Sequence, residues 1–237
     1  MPQGLEEVEH EAGLELAVYV DERTEAEIRR AFAEASSAAV APGWGERWRT
    51  FHRPVRAAGL WIGPPWEDAP AGQPSVVIDP GQAFGTGAHP TTRACIELLA
   101  DEPVGSVLDA GCGSGVLAVA AARLGHGPVI AVDSDSLAVE ATRANAARNG
   151  VEVEVRALDV LQDRLPEARL VVANIELGVV EAVLARARAE RAITSGYLPH
   201  ERVHAPGWSA LRALELDGWV AELLRWRGGP PGPERLS

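Results

Sequence analysis

Val107-Leu108-Asp109-Ala110-Gly111-Cys112-Gly113-Ser114-Gly115-Val116 decides the fold of this chain. An apolar strand runs into three alternate glycines and then into an alanine-rich helix. Glycine has no Cβ, so its backbone turns tightly and can lie against a ligand. A strand–turn–helix of this kind marks the crevice where open α/β sheets bind their ligands. The spacing is G-x-G-x-G with Val116 next, not the G-x-G-x-x-G of a dinucleotide loop. A nicotinamide-dependent oxidoreductase is therefore disfavoured.

Working outward, strand and helix patterns alternate. Strands are expected over 76–78, 106–109, 129–133, 151–158, 170–173 and 191–195. Helices are expected over 91–100, 116–124, 136–149 and about 178–190. Such alternation implies a parallel sheet covered on both faces. Ser134 or Ser136 can cap the 136–149 helix, and Gly150 closes it. After strand 191–195 only a short helix near 198–206 remains. Asp217-Gly218 between apolar runs at 212–216 and 219–226 predicts an antiparallel hairpin. Upstream, 14–20 reads as a strand, and 25–35 reads as a helix capped by Thr24. Residues 42–75 hold Trp44, Trp48, Trp61 and Trp66 among prolines and glycines, and read as a packed connector. The expected organisation is a truncated α+β segment (1–41), this connector (42–75), a doubly wound, Rossmann-like α/β domain (76–227) and a flexible tail (228–237).

The 237 residues carry a net charge of −12, with 46% apolar residues. That balance argues against direct nucleic-acid binding and favours a basic protein or a small molecule as partner. The first forty residues concentrate acids, as a docking face for a cationic protein or simply a solvated face would. No apolar run is long enough to span a bilayer, no secretory leader is visible, and Cys95 and Cys112 sit in no metal-ligand spacing. A cytoplasmic protein without membrane or metal is expected. All 22 basic residues are arginine, which reads as compositional bias; an enzyme that methylates lysine would also escape modifying itself.

Asp133 ends the strand after the glycine loop, placed to accept from two ribose hydroxyls. Asp159 follows the third strand and could accept from an adenine amine. Glycine loop, acid and acid on consecutive strand ends point to S-adenosylmethionine as cofactor, with Gly111 and Gly113 under its methionyl arm. Asn174 ends the fourth strand and could accept from an incoming amine. Ile175-Glu176-Leu177 follows it, so the aromatic clamp of enzymes that methylate nucleobases or glutamine is missing.

These motifs resemble the bacterial ribosomal protein L11 methyltransferases, class I S-adenosylmethionine-dependent enzymes. The resemblance rests on Leu60-Trp61-Ile62-Gly63-Pro64-Pro65-Trp66, on the glycine-rich stretch from Asp79 to Thr92, on 107–118, on Asn145-Ala146-Ala147-Arg148-Asn149-Gly150, and on Val172-Ala173-Asn174-Ile175. It implies a class I methyltransferase fold and methyl transfer to lysine side chains or the N-terminal amine of ribosomal protein L11. It also implies cofactor contacts at Thr92, Gly111, Asp133 and Asn174, with Phe84 in a loop over the cofactor. No dedicated catalytic base is assigned; His89 reads as an orienting residue of that motif. Three departures stand out: a short N-terminal recognition segment, no Pro-Gly-Gly turn before strand 191–195, and the shortened helix after it. Another protein or a small amine as acceptor, and a non-catalytic module that only binds the cofactor, are the alternative readings.

Overall fold

The computed structural model describes residues 5–10, 13–18, 28, 30–32, 53–79 and 87–228. Contacts divide the chain into two units, residues 1–48 and 49–237. In the first, β1 (Leu5–His10) pairs antiparallel with β2 (Gly13–Val18). The strand expected at 14–20 thus has a partner that four acidic or histidine positions in Leu5–His10 conceal. Ile28, Arg30 and Ala31 are helical. Phe32, just after them, is not helical and is exposed; residues 25–27, 29 and 33–35, Trp44, Trp48 and residues 229–237 lie outside the described residues.

Among the described residues the second unit holds two sheets. Its elements are β3 (Val55–Ala57), β4 (Leu60–Gly63), β5 (Ser75–Val77), α1 (Pro90–Ala100), β6 (Val107–Ala110), α2 (Val116–Arg123), β7 (Val129–Asp133) and α3 (Ser136–Asn149). There follow β8 (Glu154–Ala157), β9 (Leu170–Asn174), α4 (Leu177–Arg186), β10 (Arg191–Tyr197), β11 (Trp208–Leu216) and β12 (Trp219–Trp226). The seven-stranded sheet has the order β11-β12-β10-β9-β6-β7-β8. Its five strands from β10 to β8 are parallel, and β12 and β11 add antiparallel. This is the doubly wound, Rossmann-like architecture of class I methyltransferases, closed by a C-terminal hairpin.

Side chains alternate across the sheet because successive Cβ atoms point to opposite faces. Val107, Ala131, Val172 and Ile193 enter one core cluster with α1 and α2. Leu108, Val132, Val171 and Ala192 enter the other with α4. Near-continuous apolar strands are what burial on both faces demands.

Three expectations need correction. Within the expected connector 42–75, Val55–Ala57 and Leu60–Gly63 are strands of a sheet of order β3-β4-β5. The β3–β4 turn is Ala58-Gly59, with φ of 49° and 76°, and alanine gives none of the usual signal of a two-residue hairpin. Glu97 of α1 stabilises that turn by accepting from the Ala58 N–H at 2.6 Å. Second, the strand expected at 76–78 belongs to this small sheet, parallel to β4, because periodicity carries no information about which sheet a strand joins. Third, residues 198–206 contain turns but no helix, and α4 stops at Arg186. The cap of α3 is Asp135, accepting from Leu137 N–H at 2.9 Å, while Gly150 closes that helix as expected. Asp217 and Gly218 turn the C-terminal hairpin at φ 50° and 80°. Among the described residues no helix is long and apolar enough to cross a membrane.

Gly196 sits in a bulge of β10 at φ 102°, and a Cβ there would fall on the carbonyl of Ile175. At Gly218, φ is also positive but nothing lies within 4 Å of a Cβ. Gly196→Ala should therefore destabilise by roughly 3 kcal/mol or more through strain plus overlap, and Gly218→Ala by only ~1 kcal/mol through strain alone. Urea unfolding of the two variants measures the difference; equal losses would contradict the steric account.

Candidate functional site

Three parallel strands end at one crevice, where the order switches between β6 and β9. After β6 the chain makes the turn Gly111–Gly115. The N–H groups of Gly111 and Cys112 both donate to the Val132 carbonyl, at 2.9 and 3.0 Å, and Gly115 N–H donates to Cys112 at 2.8 Å. Gly111, Gly113 and Gly115 all have positive φ, the left-handed region that only glycine enters without cost.

Asp133, at the end of β7, is half-buried beside this turn. One carboxylate oxygen accepts from Gly113 N–H at 2.9 Å and the other from Asp135 N–H at 3.0 Å. A carboxylate accepts up to about four hydrogen bonds, so capacity remains towards the pocket. Asn174, at the end of β9, donates through Nδ2 to Thr92 Oγ1 at 3.3 Å. That contact leaves the Asn174 carbonyl oxygen as the acceptor of its side chain.

A pocket of about 650 Å³ joins these groups. Thr92, Gly111, Gly113, Asp133 and Asn174 all line it. Phe84 lies outside the described residues, as do Gly81, Gly85 and Thr86. Asp159 does not line the pocket. Its carboxylate accepts from Leu161 N–H and Gln162 Nε2, both at 2.8 Å. Leu158 and Val160 present apolar surface there instead, which corrects the expectation of an acid facing adenine.

His89 is the N-cap of α1: Nδ1 accepts from Thr91 N–H at 3.3 Å and lies 2.7 Å from Thr91 Oγ1. Burial holds its pKa below the usual value, so the ring stays neutral and its Nδ1 is engaged. The ring meets Trp219 edge to face, centroids 4.9 Å apart. Trp219, Gly196, Val179 and Glu176 also line the pocket, and none was assigned to the site from the sequence. Trp219 arrives because the Asp217-Gly218 turn delivers β12 beside α1, a long-range placement without a local signature. Among the described residues no cluster of three or more His, Cys, Asp or Glu could hold a metal.

Asp109 lies just behind the glycine turn, only 1% exposed, and accepts from Ala118 N–H at 3.0 Å. Burial pushes its carboxyl up to about 7, offset by the Ala118 hydrogen bond and reinforced by the nearby Asp133 charge. The thiol of Cys112 is pushed up to about 12, first by burial and then by Asp109.

Comparison with known proteins gives a consistent set of likenesses. The family model described as Ribosomal protein L11 methyltransferase (PrmA) matches residues 10–219. The ribosomal protein L11 methyltransferase of Symbiobacterium thermophilum is 41% identical over 202 residues, covering 76% of this chain and 64% of its own. That of Myxococcus xanthus is 37% identical over 203 residues, covering 78% and 70%. The chain thus spans about two thirds of the length of these curated relatives. The crystal structure of the ribosomal protein L11 methylase from Lactobacillus delbrueckii subsp. bulgaricus superposes with a TM-score of 0.65 at 26% identity, over 75% of this chain and 100% of that one.

The elevated carboxyl of Asp109 makes a pH prediction. Between pH about 4 and about 7 the unfolded chain has released a proton that the folded protein keeps. Stability contributed by this residue therefore falls as pH rises through that window and levels off above it. Asp109→Asn keeps an oxygen for Ala118 N–H and removes the charge. Relative to wild type it should gain on the order of 1 kcal/mol per pH unit across the window. Urea titrations at pH 5, 6.5 and 8 check this, and a constant difference would refute it.

Proposed function

This chain belongs to the ribosomal protein L11 methyltransferase family, and on that premise we propose that it binds S-adenosylmethionine and methylates amines of ribosomal protein L11. The acceptors in this reading are lysine side chains, the N-terminal amine, or both. The observation that carries it is the Asp133 carboxylate, held by Gly113 and Asp135 N–H groups at the mouth of the glycine turn. Two fixed acceptor oxygens suit the vicinal hydroxyls of a ribose.

The fit extends along the pocket. At Gly111 a Cβ would stand 2.8 Å from Ile175 Cγ2, so bare backbone is what an amino-acid arm would meet. Leu158 and Val160 offer an apolar slot for a flat base. Thr92 and Asn174 complete the contacts, and Phe84 is included from the family resemblance. When bound, S-adenosylmethionine supplies a methyl group already activated on a sulfonium centre, so the protein's task is placement.

Asn174 is assigned the acceptor amine. Its Nδ2 is turned to Thr92, which orients its carbonyl oxygen to accept an amine N–H and aim the nitrogen lone pair. An amine with a reference pKa of about 10.4 must be neutral to attack. Ile175 and Val179 line the pocket next to Asn174, and apolar surroundings favour the uncharged form. His89 Nδ1 is occupied as a helix cap, so the proton is assigned to water.

Calorimetry with S-adenosylmethionine and label transfer to ribosomal protein L11 from unmodified ribosomes test the proposal together. Asp133→Ala should weaken cofactor binding about tenfold or more, as loss of charge-assisted hydrogen bonds would. Label should appear in the L11 band. An unchanged dissociation constant would refute the ribose assignment, and label in another protein would refute the acceptor.

A further inference from the structure

Helix α3 carries a row of polar side chains, Thr142, Asn145 and Asn149, that are at most 5% exposed. Buried carboxamides are costly unless fully paired, and here the pairing is complete and specific. Asn145 Nδ2 donates to the carbonyls of Asp79 and Ser114, at 3.1 and 2.9 Å. Its Oδ1 accepts from Asp79 N–H and Arg148 Nη1, both at 2.9 Å. Asn149 accepts from Val77 N–H at 2.8 Å and donates to the Val77 and Asn145 carbonyls at 2.7 and 2.8 Å.

Each asparagine therefore meets both backbone groups of one residue, as a neighbouring strand would. Helix residues four apart rise by about 6 Å, and strand residues two apart by about 6.6 Å. The Asn-x-x-x-Asn spacing is thus matched to Val77, the last residue of β5, and Asp79, two residues beyond it. Ile78 N–H points the other way, to the Gly63 carbonyl at 2.9 Å. One turn earlier on the same row, Thr142 Oγ1 donates to the Gly113 carbonyl at 2.9 Å, with Cys112 Sγ at 3.3 Å also in reach.

Gly113 is consequently gripped from two sides: its N–H by the Asp133 carboxylate and its carbonyl by Thr142. Ser114 is held by Asn145, the same side chain that holds Asp79. We propose that Thr142, Asn145 and Asn149 are positioning residues that fix the glycine turn and the Asp133 rotamer for cofactor binding, and that they couple the three-stranded sheet to that turn. The inference rests on the cofactor reading above and names the residues that set its geometry from behind the pocket.

The test uses Thr142→Val, Thr142→Ser and Asn145→Ala, with S-adenosylhomocysteine as probe in calorimetry below each variant's unfolding transition. Removing the Thr142 hydroxyl should weaken binding about tenfold, and Thr142→Ser should restore it to within about threefold. Asn145→Ala should weaken binding at least as much; should it fail to fold, the Thr142 pair decides. In the wild type, saturating probe should slow hydrogen exchange at the Val77 and Asp79 amides, which do not line the pocket. Full binding by Thr142→Val, no rescue by Thr142→Ser, or amides indifferent to the probe would overturn the coupling while leaving the cofactor reading intact. A wild type that binds no probe would overturn both.

Discussion

A Cβ at Gly111 would stand 2.8 Å from Ile175, and one at Gly115 would stand 2.7 Å from Thr142. The turn is therefore wedged between Ile175, just after β9, and the buried face of α3, with no room for a side chain at Gly111 or Gly115. Everything that makes the crevice a site follows from this closeness. Asp133 reaches the turn with its carboxylate because Gly113 N–H is presented to it. Asn174 reaches Thr92 because β9 lies directly beside β6. A looser turn would leave the same residues present and their geometry undefined.

The same wedge creates a problem at α2 that Asp109 resolves. Helices begin with unpaired N–H groups, usually satisfied by a side chain at the N-cap. Here the cap is Gly115, at φ 80° and with no side chain to offer. Asp109, one strand end away, supplies the missing acceptor to Ala118 N–H. That solution requires a buried carboxyl close to Asp133, and its elevated pKa measures the conflict. Near neutrality the carboxyl is part-protonated, so the acid serves α2 without adding a full second charge behind Asp133.

Much of this was readable from residue order, because glycine spacing, capping residues and apolar periodicity are local. Helix α3, strand β7 and the Asp217-Gly218 hairpin stand where their patterns put them. The small sheet was not readable: its turn is Ala58-Gly59, and the side chains that bond its backbone, Glu97 and the α3 asparagines, are remote in sequence. Asp159 follows its strand as Asp133 does, yet its neighbours Leu158 and Val160 line the pocket and it does not, a side-chain direction that residue order does not carry. Trp219 entered the pocket through tertiary packing against His89, which no window of sequence contains.

The pocket also reconciles two opposed electrostatic demands. A chain of net charge −12 attracts a basic protein over distances up to the Debye length, about 8 Å at physiological salt and further when dilute. Attraction of that kind favours a charged ammonium, which cannot attack a methyl group. In the proposed reading the two effects act at different ranges. Asp133 accepts from Gly113 and Asp135 with capacity left towards the pocket, and Glu176, which also lines it, is exposed. Next to Asn174 the surface includes Ile175 and Val179, apolar side chains that disfavour a charged ammonium. In the proposed reading, charge operates on approach and apolar contact operates on arrival, where it favours the uncharged form of the attacking amine.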